Sequence, residues 1–363
     1  MIRRPPRSTP LYSSAASDVY KRQKPVTEKF RDIALDTLND SKIQANLNAL
    51  YEGFHSRRIA AGSATHNWED LREHGRAIRE HTVENLDFYI EILEQAVVAN
   101  GGNFYLASDA DEAANYVVEL AKSKNVKTVI KSKSMLSEEM SLNSKLEQNN
   151  VEPIETDLGE YIIQLADETP FHIIAPAMHK DRSDVADLFS EKLGAAKSSD
   201  VNELAGVARS QLREKFFQAD MGVTGANFVV AETGTVALVS NEGNGRMCTS
   251  MPKIHVAVTG MEKIVPTMNE LSTLLRLLIR SATGQWISSY VTTINGPRSS
   301  YDEDGPEEFH LVLVDNGRSK LLSDPELREA LLCVRCGACT VSYTHLRAHE
   351  TRHDLVCRLL LEK

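Results

Sequence analysis

Between residues 103 and 193 the chain alternates short apolar runs with longer amphipathic ones, and this alternation restricts the fold more than any other feature. Runs at 103–107, 126–131, 151–155 and 172–175 read as strands. The segments at 109–124, 137–149, 159–166 and 182–193 read as helices. Asp109 followed by Glu112 opens the first of them as a variant of the capping box. Strand and helix in turn give βαβ units and a mainly parallel sheet. Ligands of such sheets lie beyond the carboxyl ends of the strands. Here those ends are residues 131–135, 156–160 and 176–180.

The flanks read differently. Residues 27–60 and 67–100 suggest two helices, the second opened by Asn67-Trp68-Glu69-Asp70 and closed by Gly101-Gly102. A helix is expected at 201–218. Residues 222–240 read as one β-hairpin turning at Glu232-Thr233-Gly234-Thr235, followed by a polar loop at 241–246. A buried strand at 254–259 precedes a helix at 268–282 with Leu271, Leu274, Leu275, Leu278 and Ile279 inward. Strands at 289–294 and 309–314 and a short helix at 327–332 complete the reading. His310, within a strand, reads as a core histidine. A net charge of −10 over 363 residues argues against nucleic-acid binding. No apolar run is long enough to span a membrane.

Cys333, Cys336 and Cys339 share a two-residue gap, the first part of the ferredoxin run C-x2-C-x2-C-x3-C-P. The spacing lets three thiolates converge, and Gly337 permits the tight turn. A zinc ribbon would instead pair C-x2-C with a distant C-x2-C. The fourth cysteine of the run falls at position 343, where Tyr343 stands before Thr344. With three of five cysteines in a metal-type run, a reducing, cytoplasmic setting is expected rather than a disulfide framework. Cys248 and Cys357 are read as non-ligands.

The two ends do not resemble the middle. Residues 1–23 are basic and carry Pro5, Pro6 and Pro10 without apolar period. They would suit a disordered tail, and the prolines spoil the amphipathic helix of a transit peptide. Together with residues 341–363 they resemble translated sequencing-adapter DNA, which accounts for the break in the cysteine run. His349-Glu350-Thr351-Arg352-His353 fits the zinc-protease pattern H-E-x-x-H, with His345 on the same face. Too little chain follows for a third ligand and a cleft, so the match is read as chance.

The stretches NWEDLREHGRAIREHTVENLDFY, KSKSM, ETDLGEYI, GVTGANFVVAETGTV, NEGNGR, GPEEFHLVLVDNGRS and CVRCGAC resemble the lactate utilization protein B family, whose members are LUD-domain iron–sulfur proteins. The resemblance covers nearly all of residues 24–339. It implies an α/β core similar to the sugar-phosphate isomerase and CoA-transferase-like fold, an N-terminal helical arm, and the start of an α-helical ferredoxin-type [4Fe-4S] module. The expected division is a non-native or disordered segment 1–23, helical arm 24–100, LUD domain 101–320, truncated ferredoxin-type module 321–340 and tail 341–363. Two [4Fe-4S] clusters are implied for a complete member, with Cys333, Cys336 and Cys339 as metal ligands here. The implied role is electron transfer, with other subunits of a lactate-utilization complex, in oxidation of L-lactate to pyruvate. An enzyme-like LUD domain, similar to CoA transferases or isomerases or binding a small anion, is the alternative. A purely structural assembly subunit is a third reading.

Candidate ligand residues follow. Lys131 and Lys133 stand at a strand end before a helix, suited to a carboxylate or phosphate, or else form a solvated basic loop. The glycine-rich stretch 222–227, with Thr224 and Asn227, lets backbone approach a ligand or simply turns. Glu232 is the candidate acid by fold analogy, against a plain hairpin-turn role. Asn241, Glu242, Asn244 and Arg246 could close the same pocket. Arg298 and Arg318 could clamp a small carboxylate or form ion pairs of their own. No G-x-G-x-x-G follows a first strand, so no flavin or nicotinamide site is expected.

Overall fold

The computed structural model describes residues 30–342. Residues 1–23, the H-E-x-x-H pattern with His345, and Cys357 lie outside the described residues. The described residues fall into two units, 30–45 and 46–342. In the first, helix α1 (Phe30–Asn39) leads to the start of α2 (Ser41–Leu50). Asp40 caps α2 by accepting the N–H groups of Lys42 and Ile43 at 2.9 and 3.0 Å.

The second unit takes in the end of α2, a π-helical turn at Tyr51–His55, then α3 (Ser56–Ala64), α4 (Trp68–Glu84) and α5 (Leu86–Ala99). The single helix expected over 67–100 breaks at Asn85, which leaves helical dihedrals at φ −121°. Asn67 takes a left-handed conformation instead of capping through its side chain. Strands β1 (Asn103–Ala107), β2 (Thr128–Lys131) and β3 (Glu152–Glu155) alternate with α6 (Ala110–Ser123), α7 (Met135–Glu139), α8 (Leu142–Gln148) and α9 (Leu158–Ala166). The helix expected at 137–149 splits because Ser141 sits at φ 49°. Next come α10 (Arg182–Leu193) and α11 (Val201–Gln218), both with the expected bounds. No strand forms at 172–175. His172 Nδ1 accepts the N–H groups of Ile174 and Ala175, which turns this apolar run.

The remaining elements are β4 (Met221–Thr224), β5 (Phe228–Val230), β6 (Thr235–Ser240), α12 (Asn244–Ser250), β7 (Ile254–Gly260), β8 (Ile264–Val265), α13 (Met268–Thr283), β9 (Tyr290–Ile294), β10 (Glu308–Val314), α14 (Arg318–Ser323) and α15 (Ala338–Ser342). Six strands form a wholly parallel sheet in the order β1-β10-β7-β4-β2-β3. Four more form a second sheet, β8-β5-β6-β9. The expected hairpin is thus two things. Strands β5 and β6 pair antiparallel, whereas β4 belongs to the parallel sheet, and residues 225–227 cross between the sheets. The expected loop at 241–246 is half helix.

Alternation along each strand divides the core into layers. Val256 and Val258 face α6 to α8, among Ala113, Val117, Leu142 and Leu146. Ala257 and Leu311 face the second sheet and α5, among Leu93, Val97 and Val236. Ile130 and Ile154 face α9, α10 and α11. The far side of the second sheet is covered by α4 and α13 through Ile78, Leu271, Leu274 and Leu278. Each such side chain contributes roughly 1.5–3 kcal/mol by leaving water. From β2 the chain moves outward to β3 and then returns to β4 on the other side. The reversal places a crevice at the carboxyl ends of β2 and β4.

Candidate active site

A cavity of about 510 Å³ opens in that crevice. Strand β2 delivers Ser132 and Lys133, and β4 delivers Gly225 to Asn227. Strand β7 ends in Thr259 and Gly260, and the 3-10 turn Met261–Lys263 adds Glu262 and Lys263. The end of β6 and the start of α12 supply Asn241, Asn244 and Gly245. Leu278, Ile279 and Ala282 of α13 form an apolar wall, and Ile173, Ile174 and Val334 form part of the rim.

An ion-pair cluster sets the floor. Arg318, 5% exposed, binds Glu262 through Nε at 2.5 Å and Glu139 through Nη1 at 3.0 Å. Burial alone would raise the Glu262 carboxyl, but Arg318, Lys263 and Arg335 outweigh it and hold the group below its usual range. A Cβ on Gly260 would crowd the Glu262 carboxylate and Arg318 Nε, so a larger residue here would displace the ion pair. Burial lowers Lys263 to about 8; Glu262 opposes this shift and Arg335 and Arg79 reinforce it.

The cysteine loop forms the adjacent wall. Fully buried Arg79 fixes its base, donating to the carbonyls of Leu331 at 2.8 Å, Ile264 at 3.0 Å and Glu262. Arg335 at φ 55° and Gly337 at φ 68° fold the loop. At Gly337 a Cβ would also strike Ile174 Cδ1 at 2.5 Å. Arg335 reaches into the cavity to Glu262 at 3.6 Å. Cys336 lines the cavity and packs on the core of α4 and α13, while Cys333 and Cys339 are exposed. Burial raises the Cys336 thiol, the Ala338 N–H opposes this, and Cys333 and Cys339 lie near enough to raise it further. The Arg335 N–H donates to Cys333 Sγ at 3.3 Å. Among the described residues no group of three or more His, Cys, Asp or Glu is drawn together to hold a metal ion. The donor chemistry nevertheless suits a thiolate-held iron–sulfur cluster, because one loop carries three thiols with backbone N–H groups directed at two of the sulfurs.

Of the residues singled out from sequence, Lys133, Asn227, Asn241, Glu242, Asn244, Arg318 and Cys336 meet at the cavity. Asn227 Oδ1 accepts the Val239 N–H at 2.8 Å, and Asn244 Oδ1 accepts the Ser240 hydroxyl at 3.0 Å. Lys131 is wholly buried beneath it, bound to Glu155 at 2.6 Å and to Asn143 at 2.5 Å. Thr224 is buried too, its hydroxyl bonded to His255 Nε2 at 2.9 Å. Three others do not line the cavity. Glu232 is exposed at the hairpin turn, Arg246 is exposed on α12, and Arg298 is exposed and paired with Glu307 at 3.1 Å. Residues 176–180 also lie off the cavity wall, their expected place taken by Ile173 and Ile174. Thr259, Glu262 and Lys263 were not singled out. The available signal was Gly-Met-Glu-Lys directly after an apolar strand, charged residues where a parallel strand ends.

Beside the cavity, Glu160 in the first turn of α9 is 7% exposed, and burial followed by Glu155 pushes it to about 7. A carboxyl raised in the folded state adds stability fully present below its unfolded pKa and lost as pH rises through about 7. Glu160→Gln is therefore expected to outlast wild type in denaturant at about pH 8.5 by roughly 3 kcal/mol, and the gap should close near pH 4.5. Parallel urea midpoints across that range would contradict the assignment.

Residues 90–314 match the LUD domain family. Lactate utilization protein B of Bacillus cytotoxicus is 47% identical over 326 residues, covering 89% of this chain and 68% of the relative. That of Bacillus thuringiensis is 48% identical with the same coverage. A DUF162 family protein of Deinococcus radiodurans aligns at TM-score 0.35 and 12% identity over 63% of this chain and 98% of that one. No helix among the described residues is long and apolar enough to cross a membrane. With an identity near one half over most of the sequence and a LUD domain at its centre, the chain belongs to the lactate utilization protein B family.

Proposed function

We propose that this protein is an iron–sulfur electron-transfer subunit in the oxidation of L-lactate to pyruvate, working with other subunits in a reducing cytoplasm. One observation carries the reading: the loop with Cys333, Cys336 and Cys339 is anchored by Arg79 against the cavity at the carboxyl edge of the sheet. Residues 333–339 would hold a [4Fe-4S] cluster as the start of a ferredoxin-type module, with a fourth ligand from elsewhere. A bound cluster supplies one-electron transfer. The chain's own part is to fix the loop through the Leu331 carbonyl, to direct N–H groups at Cys333 and Cys336, and to present Arg335 beside them. The relatives' name supports the lactate role. Cells lacking their own relative should regain growth on L-lactate with the wild-type gene and not with Cys333→Ser, Cys336→Ser or Cys339→Ser. Equal growth with all three variants would sink the proposal. It would favour a second reading, a LUD domain acting on a bound anion, for which the polar cavity floor speaks.

A further inference from the structure

Two buried polar side chains on the cavity wall make no side-chain hydrogen bond among the described residues, although Lys263 feels the charge of Glu262. Thr259 is 2% exposed, and its Oγ1 makes no hydrogen bond among the described residues. Lys263 is 7% exposed and makes no hydrogen bond or ion pair there. Buried polar groups are nearly always hydrogen-bonded, and a buried ammonium with no hydrogen bond is the costlier case. The local charge is also unbalanced. Around Glu262, Arg79, Lys263, Arg318 and Arg335 outnumber Glu262 and Glu139, while the other two carboxylates of the cavity wall, Asp157 and Glu242, lie beside Lys133. Both side chains come from one end of β7, where β4 and β10 hold the backbone on either side.

We propose that Thr259 and Lys263 form the head-group subsite for an organic carboxylate that carries an apolar body. The ammonium and the hydroxyl would each donate to the carboxylate oxygens. The body would lie along Leu278, Ile279 and Ala282, the apolar wall that α13 gives the cavity. A volume of about 510 Å³ suits a ligand well beyond three carbons. A small hydroxy acid would satisfy the head groups and leave the apolar wall wet.

The thiolates of the cysteine loop are the other anions that could use this charge, so the test uses full-length protein prepared without iron. Calorimetric titration with propionate, hexanoate and hexanamide reads the subsite directly. Hexanoate should bind at least about tenfold more tightly than propionate, from three added methylenes. Hexanamide, of equal size and no charge, should bind at least about tenfold more weakly than hexanoate. Lys263→Met should weaken hexanoate by about tenfold or more, and Thr259→Val by several-fold. Thr259→Val should not lower the melting temperature, because it removes a group the fold leaves unpaired; Lys263→Met also removes one of the cations around Glu262, so its hexanoate affinity is read at a temperature where the variant is fully folded. Hexanoate that fails to bind, or binds Lys263→Met and wild type alike, overturns the inference. That failure in protein that still loads a cluster would leave the electron-transfer proposal standing, and binding by protein unable to load one would do the reverse.

Discussion

Replacing Arg318 with methionine is expected to destabilise the protein by about 3–5 kcal/mol, because it strands a buried carboxylate. Arg318 spans three groups: Glu262 at 2.5 Å, Glu139 at 3.0 and 3.2 Å, and the Asp315 carbonyl at 3.0 Å. Glu262 is 4% exposed and its carboxyl lies below the normal range only because cations surround it. Methionine fills much of the volume and supplies no charge. A carboxyl lowered in the folded state contributes stability present above its unfolded pKa and lost as pH falls through the folded value. The defect should therefore be large at neutral pH and shrink in acid. Glu262→Gln in the Arg318→Met background should recover much of the loss, since the stranded charge is gone. Urea unfolding of the four proteins gives the coupling; strictly additive losses would show that the pair does not act as a unit.

Gly222→Ala should be nearly as severe, at about 4 kcal/mol or more. Strand β4 lies between β2 and β7, and a Cβ on Gly222 would stand 1.9 Å from the Cys248 carbonyl oxygen. That neighbour is backbone, so no rotamer change relieves the contact. Either β4 leaves the sheet or α12 moves away. Since α12 carries Asn244 and Gly245 into the cavity, a variant that still folds should also show a changed site. Thermal unfolding together with hexanoate titration separates the two consequences. A melting temperature within a degree or so of wild type would contradict the packing described here.

The parallel sheet was readable because its inner strands β4, β7 and β10 are buried on both faces and the helices carry clear periods. The bounds of α10 and α11 follow from Asp181 and Asp200, each capping two N–H groups. Local pattern failed where a side chain or a single dihedral overrode it. His172 turns an apolar run that otherwise reads as a strand, and Ser141 divides a helix. The crossing at 225–227 was hidden because β4 and β5 are both apolar, and apolar runs do not declare which sheet they join.

The site was legible in part for a related reason. Lys133, Asn227 and Asn244 stand at strand ends or beside them, where topology alone directs attention. Lys131, two residues earlier, is buried within the sheet and is consumed by Glu155. Glu232 and Arg298 lie on the second sheet's margins, so adjacency in sequence to a glycine-rich turn did not bring them to the cavity. Lys263 and Arg335 come from segments far apart in sequence, and only packing against Glu262 brings them together.

The most direct test of the electron-transfer proposal is low-temperature electron paramagnetic resonance on the full chain after anaerobic reconstitution with iron and sulfide and reduction. The account predicts the signal of a reduced four-iron cluster, absent when Cys333, Cys336 and Cys339 are together replaced by serine. A wild-type chain that forms no cluster, or a triple variant with the same signal, would contradict it.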